Sequence, residues 1–144
     1  MNNTKAPTVY ILIRIYKLQT NKDDNEPYYS LLEEAIRSVD ENAKVYDGIV
    51  KIVANEDTPK DEVLYPEHKR RVLDILERHR FSIDKSNLYF SETDGKGSSY
   101  ATLKVRESFL LWSEANEDYD SIAVTLDQDD ELKDNALANI AYEM

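Results

Sequence analysis

The sequence predicts an α/β protein, a three-layer sandwich with a mainly parallel sheet and helices on both faces. Three observations carry that prediction. Strand and helix signals alternate four times along the chain. The strand candidates are short, continuous apolar runs, as strands covered on both faces are. The helices between them each carry one apolar stripe, and alternation of this kind builds layered parallel sheets. With 144 residues, 41% of them hydrophobic, the chain suffices for one core and reads as a single domain spanning residues 1–144.

Each element has its own signal. Val9-Tyr10-Ile11-Leu12-Ile13 is β-branched and apolar, and Arg14 to Lys17 carry this first strand to its end. The polar stretch Gln19–Glu26 follows, and Pro27 suits the first turn of a helix. Tyr28, Leu31, Leu32, Ala35, Ile36 and Val39 then recur at helical spacing. Ile49–Val53 form a second strand, ended by the turn signal Asn55-Glu56-Asp57-Thr58-Pro59. Pro66 opens a second helix with Val72, Leu73 and Leu76 inward; His68 and His79 read as solvated on its polar face.

Leu88-Tyr89-Phe90 is a third strand, and Asp94-Gly95-Lys96-Gly97 breaks the chain before a helix that Ser98 or Ser99 can cap. Ala101, Val105, Phe109 and Trp112 line that helix's inner face. Ile122–Leu126 make the fourth strand, and a last helix carries Leu137, Ile140, Ala141 and Met144.

Composition removes several functions. Without cysteine there is no disulfide framework, thiolate zinc site or cysteine nucleophile, which fits a reducing, cytoplasmic setting. Met1–Thr8 is polar and no apolar run approaches the ~20 residues of a membrane span. A net charge of -11 disfavours nucleic acid and anionic membranes as partners. Neither a GxxxxGK[ST] phosphate loop nor a GxGxxG fingerprint occurs.

Ligands of parallel sheets bind beyond the carboxyl ends of the strands. The informative residues are therefore Tyr16 and Lys17, Asn55–Asp57, Ser91–Gly97 and Asp127–Asp130. At the fourth strand end, alternation points Asp127 and Asp129 the same way. Two such carboxylates repel unless a cation joins them, and magnesium or manganese binds through one or two carboxylates plus substrate phosphates. An acidic helix start is the competing reading, above all for Asp130. An EF-hand loop fails, because Leu132 and Ala138 stand where its glycine and glutamate belong.

The stretch Ile122–Met144, an apolar strand, then Asp127-Gln128-Asp129-Asp130, then a helix with Ala136-Leu137, resembles the DxD region of family 2 glycosyltransferases. Val9–Tyr16 is similar to that family's first strand and Leu32–Val39 to its first helix, while Asn55-Glu56-Asp57-Thr58 takes the place of its Asp-Asp-Gly-Ser turn. The resemblance covers nearly the whole chain, and its specific parts are the DxD region and the first helix. It implies a GT-A fold and the donor-binding half of a glycosyltransferase. Ile15, Tyr16, Asn55, Glu56 and Asp57 would meet the base and ribose of a UDP- or GDP-sugar. Asp127 would hold ribose and, with Asp129, Mn2+ or Mg2+. The family's Arg-Asn pair before the third helix is missing here, where Ala101 is followed by Thr102-Leu103; Lys96, Lys104 or Arg106 could meet the diphosphate instead.

The family's catalytic base lies after the DxD helix, in which this sequence stops, so no residue here is assigned as base. The expectation is donor and metal binding with poor or no sugar transfer by the chain alone, completed by an acceptor-binding domain or a homo-oligomer. Two alternatives stand beside it. One is a non-catalytic α/β binding module that kept the fold without the chemistry. The other, a phosphotransfer receiver, is disfavoured because the paired acids follow the fourth strand.

Overall fold

A computed structural model describes residues 6–16, 26–61, 65–79, 87–117, 120–127, 132 and 136–137, with the side chains of 26–28 excepted. Its elements are β1 (Val9–Ile15), α1 (Glu26–Val45), β2 (Val50–Glu56), α2 (Tyr65–Arg78), β3 (Leu88–Glu92), α3 (Ser98–Ala115) and β4 (Ile122–Asp127). All strand pairs are parallel, in the order β3-β2-β1-β4. The expected three-layer α/β architecture is therefore present.

Strand alternation divides the core between two faces. Val9, Ile11, Ile13 and Ile15 of β1, Val50, Ile52 and Ala54 of β2 and Leu126 of β4 point one way. They meet Leu32, Ala35, Ile36 and Val39 of α1 and Val72, Ile75 and Leu76 of α2. Tyr10, Leu12 and Val53 point the other way, against Val105, Phe109 and Trp112 of α3. The central strands β1 and β2 are buried almost throughout, which is why apolar residues dominate their sequences. The edge strands β3 and β4 are only partly buried.

Of the expected last helix, Ala136 and Leu137 are helical. Leu137 is buried in the α1/α2-side core, and its N–H donates to Asn42 Oδ1. Ile140, Ala141 and Met144 lie outside the described residues. Among the described residues no helix is long and apolar enough to cross a membrane.

Three local expectations are corrected. β2 does not end at Val53 but runs on to Glu56, so Asn55 and Glu56 are strand residues in register with Ser91 and Glu92 of β3. Neither Ser98 nor Ser99 caps α3: the cap residue is Gly97, at φ 102° with no side-chain cap hydrogen bond. His68 is not solvated but 1% exposed, because it shares the inner face of α2 with Tyr65, Val72, Ile75 and Leu76.

The strand order creates a switch point. The chain steps from β1 to β2 to β3 in one direction, then crosses back to lay β4 on the other side of β1. At such a reversal the connections leave in opposite directions and open a crevice at the carboxyl ends.

Candidate functional site

A cavity of about 480 Å³ lies at that crevice, a volume suited to a small-molecule ligand. Arg14, Ile15 and Tyr16 from the end of β1 and Asp127 from the end of β4 form one side. Asp57 and Pro59 after β2, Gly95, and Gly97, Ser98 and Ala101 at the start of α3 form the other. Of the residues expected to bind ligand, Ile15, Tyr16, Asp57 and Asp127 share this cavity. Tyr16 is the aromatic one, 36% exposed.

Asp57 builds the wall rather than presenting a free carboxylate. One oxygen accepts the Lys96 N–H at 2.9 Å and the Thr93 hydroxyl, and the other accepts the Gly97 N–H at 2.9 Å. A carboxylate that accepts several N–H and O–H groups is held firmly. Asp94 closes the same turn from the other strand, with Oδ1 accepting the Lys60 N–H at 2.7 Å. Gly95 sits at φ +67°, and a Cβ there would come 2.9 Å from Pro59 Cγ. The loops after β2 and β3 are thus tied together, and they aim the start of α3 into the crevice.

Asn55 and Glu56 stand apart from the cavity, and their expected contact with base and ribose is corrected. Asn55 is fully buried; its Nδ2 donates to Ser91 Oγ at 3.0 Å, and its Oδ1 lies 3.1 Å from the Thr93 hydroxyl, whose proton goes to Asp57. Glu56 follows strand alternation onto the α1/α2 side, where it is 0% exposed. Its Oε2 accepts from the Thr58 hydroxyl at 2.6 Å and the Thr58 N–H at 2.9 Å. Its Oε1 lies 2.7 Å from His68 Nε2, without an aligned hydrogen bond. Since Thr58 spends its proton on Glu56, its oxygen accepts from His68 Nε2 at 3.1 Å, and that nitrogen carries a proton. His68 Nδ1 lies 2.9 Å from the Tyr29 hydroxyl of α1. These groups fasten β2, α2 and α1 beneath the cavity.

Asp127 faces the cavity from the α3 side of the sheet. Arg14 is its direct partner in the β1–β4 register, so both side chains leave the sheet on the same face. Arg14 Nη2 lies 3.7 Å from Asp127 Oδ1, while Nη1 donates to Ser98 Oγ at 2.5 Å and reaches Ser98 O at 3.4 Å. The guanidinium therefore spans the cavity mouth from β4 to α3. Sequence reasoning left Arg14 without a role; the signal was its alternation with Tyr10 and Leu12 at a strand end.

The implied divalent ion can be tested against these residues. Asp127 already has a cationic neighbour in Arg14, and among the described residues no group of three or more His, Asp or Glu side chains could hold a metal. Of the two expected ligands, the described residues include Asp127. Asp129, the other expected ligand, lies outside them.

At the end of β3, Glu92 is bound by Lys69 of α2 and by Lys60, the latter at 3.0 Å. Burial pushes its carboxyl up, but the hydrogen bonds and charges of Lys69 and Lys60 outweigh that and hold it below its ordinary value. Comparison of the chain with protein-family models, with curated proteins and with solved structures finds no match.

Proposed function

We propose that this chain binds a nucleotide-diphosphosugar in the crevice between β1 and β4, as the donor half of a glycosyltransferase. The observation that carries the reading is convergence: Ile15, Tyr16, Asp57 and Asp127, from three strand ends, line one cavity. The resemblance of Val9–Tyr16 and of the Asp127 region to family 2 glycosyltransferases supports it from the sequence. Absence of cysteine supports a reducing, cytoplasmic setting.

In this reading Tyr16 offers an exposed ring for the base to stack on, next to the backbone of Ile15, whose side chain belongs to the α1/α2 core. Asp57 acts indirectly, by holding the Lys96 and Gly97 amides and so the wall of the pocket. The diphosphate points toward α3, whose uncapped start favours negative charge. The protein's contribution is orientation and charge. No step is derived through a metal, and no group on this chain is assigned as base.

The second reading is a binding module that takes the nucleotide without transferring sugar. The Arg14–Asp127 contact favours it, because the acid expected to serve a metal is engaged by a cation of the protein itself.

Calorimetry with UDP, GDP and their glucose and mannose conjugates tests both. The expected result is binding of one nucleotide series, weakened at least tenfold by Tyr16→Ala and by Ser98→Trp, which fills the cavity mouth. Slow hydrolysis of the bound donor favours the transferase; binding with no turnover favours the module. Failure of every nucleotide to bind rejects both.

A further inference from the structure

We infer that Arg14 is the diphosphate-binding group of the crevice, so that nucleotide binding needs no divalent cation. The inference takes the proposed nucleotide site as its premise and names the residue that supplies its positive charge.

The placement follows from the strand. Alternation in β1 sends Ile11, Ile13 and Ile15 to the α1/α2 core and leaves Tyr10, Leu12 and Arg14 on the α3 side. Being next to last in β1, Arg14 clears the covered part of the sheet and reaches the cavity. Its fork is already aimed: Nη1 is anchored on Ser98 at the start of α3, and Nη2 lies toward Asp127. A planar guanidinium with parallel N–H groups matches two phosphate oxygens at once, better than the point charge of an ammonium.

Charge decides between Arg14 and a metal. The Asp127 contact is long, at 3.7 Å, and its side chains are 33% and 58% exposed, so water screens it and it holds Arg14 only loosely. A diphosphate carries more charge than one carboxylate and draws the guanidinium away from Asp127. A divalent ion on Asp127 would instead sit against the guanidinium, like charge facing like charge. Asp57, the other carboxylate lining the cavity, is taken up by the Lys96 and Gly97 amides and the Thr93 hydroxyl. The guanidinium thus neutralises the diphosphate where a metal would otherwise be required.

Calorimetric titration of UDP and GDP into the protein, once in EDTA and once in manganese chloride, tests this. Wild-type protein is expected to bind the same nucleotide in both buffers with affinities within threefold. Arg14→Gln weakens that binding at least tenfold in EDTA, Arg14→Lys falls between, and the corresponding nucleoside, which lacks phosphate, binds wild type and Arg14→Gln alike. Circular dichroism of each variant checks that the fold is kept. Binding only with manganese, or Arg14→Gln binding as tightly as wild type, overturns the inference and leaves the nucleotide site standing. No nucleotide binding in either buffer overturns both.

Discussion

The two faces of the sheet solve the same problem with different materials. On the α1/α2 side, isoleucine, valine and leucine close a continuous aliphatic core, and the fully buried Glu56 is fastened to Thr58 and His68. On the α3 side the core is small and aromatic. Tyr10 meets Phe109 and Trp112 edge-on at 4.9 and 5.6 Å, and the buried Lys51 lies 5.0 Å from the Trp112 ring. There α3 keeps Leu103, Leu110 and Leu111 in solvent, and the exposed side of β4 shows Ala123, Thr125 and Asp127. Neighbouring residues make the contrast sharpest: Glu56 goes into the closed face as structure, while Asp57 turns to the open crevice. A face packed to completion has no room for a ligand, so the ligand-sized cavity belongs to the face left unfinished.

The largest expected effect breaks the closed face. His68→Ala removes the imidazole that lies 2.7 Å from a fully buried carboxylate oxygen and that bonds Thr58 and Tyr29. Leaving buried polar groups without their partner costs about 1–3 kcal/mol, measurable by urea unfolding. A loss below about 1 kcal/mol would mean that the pair is not sealed from water.

Gly95→Ala tests the strut between the two regions. At φ +67°, and with its new methyl 2.9 Å from Pro59 Cγ, it should cost about 1–2 kcal/mol for the left-handed backbone alone. It should also weaken nucleotide binding, because the loop it strains positions Gly97 and Ser98.

A smaller effect depends on pH. Glu92 is held below its ordinary value, so its ion pairs with Lys60 and Lys69 stabilise the fold above pH 4.5, and that contribution is lost as pH falls through the lowered value. Lys69→Met should therefore lower stability by up to about 1 kcal/mol at pH 7, with the difference from wild type closing under acid. Urea midpoints between pH 7 and pH 3 follow it.

The smallest effect is on the open side. Leu110→Gln on α3 should change stability by no more than about 0.5 kcal/mol, since Leu110 is 60% exposed. A loss of about 2 kcal/mol would show that this face is covered in solution.

Much of the fold was legible in the sequence, for physical reasons that differ by element. β1 and β2 announce themselves because both faces are buried, so apolar residues fill most of β1 and, apart from Lys51, the first part of β2. α1 does so through a stripe of Leu32, Ala35, Ile36 and Val39 against charged neighbours. The end of β2 was misread because Asn55-Glu56-Asp57 has turn composition, and only tertiary partners such as Ser91 and His68 keep the first two in the strand. His68 was misread because its charge type was weighed above its phase, although Tyr65, His68, Val72 and Ile75 fall on one helical face. The cavity was half visible: ligand sites follow strand ends, which identified Tyr16, Asp57 and Asp127, while Ile15 came from the family resemblance. Arg14 escaped because no local pattern reveals that it and Asp127 stand side by side in adjacent strands.

Amide chemical-shift mapping with UDP and GDP tests the central claim most directly. The account predicts that one nucleotide moves the amides of Tyr16, Gly97, Ser98 and Asp127 at the crevice while leaving the exposed α2 face around Lys69, Arg70 and Leu73 unchanged. Shifts confined to that α2 surface, or no shifts with either nucleotide, would contradict it.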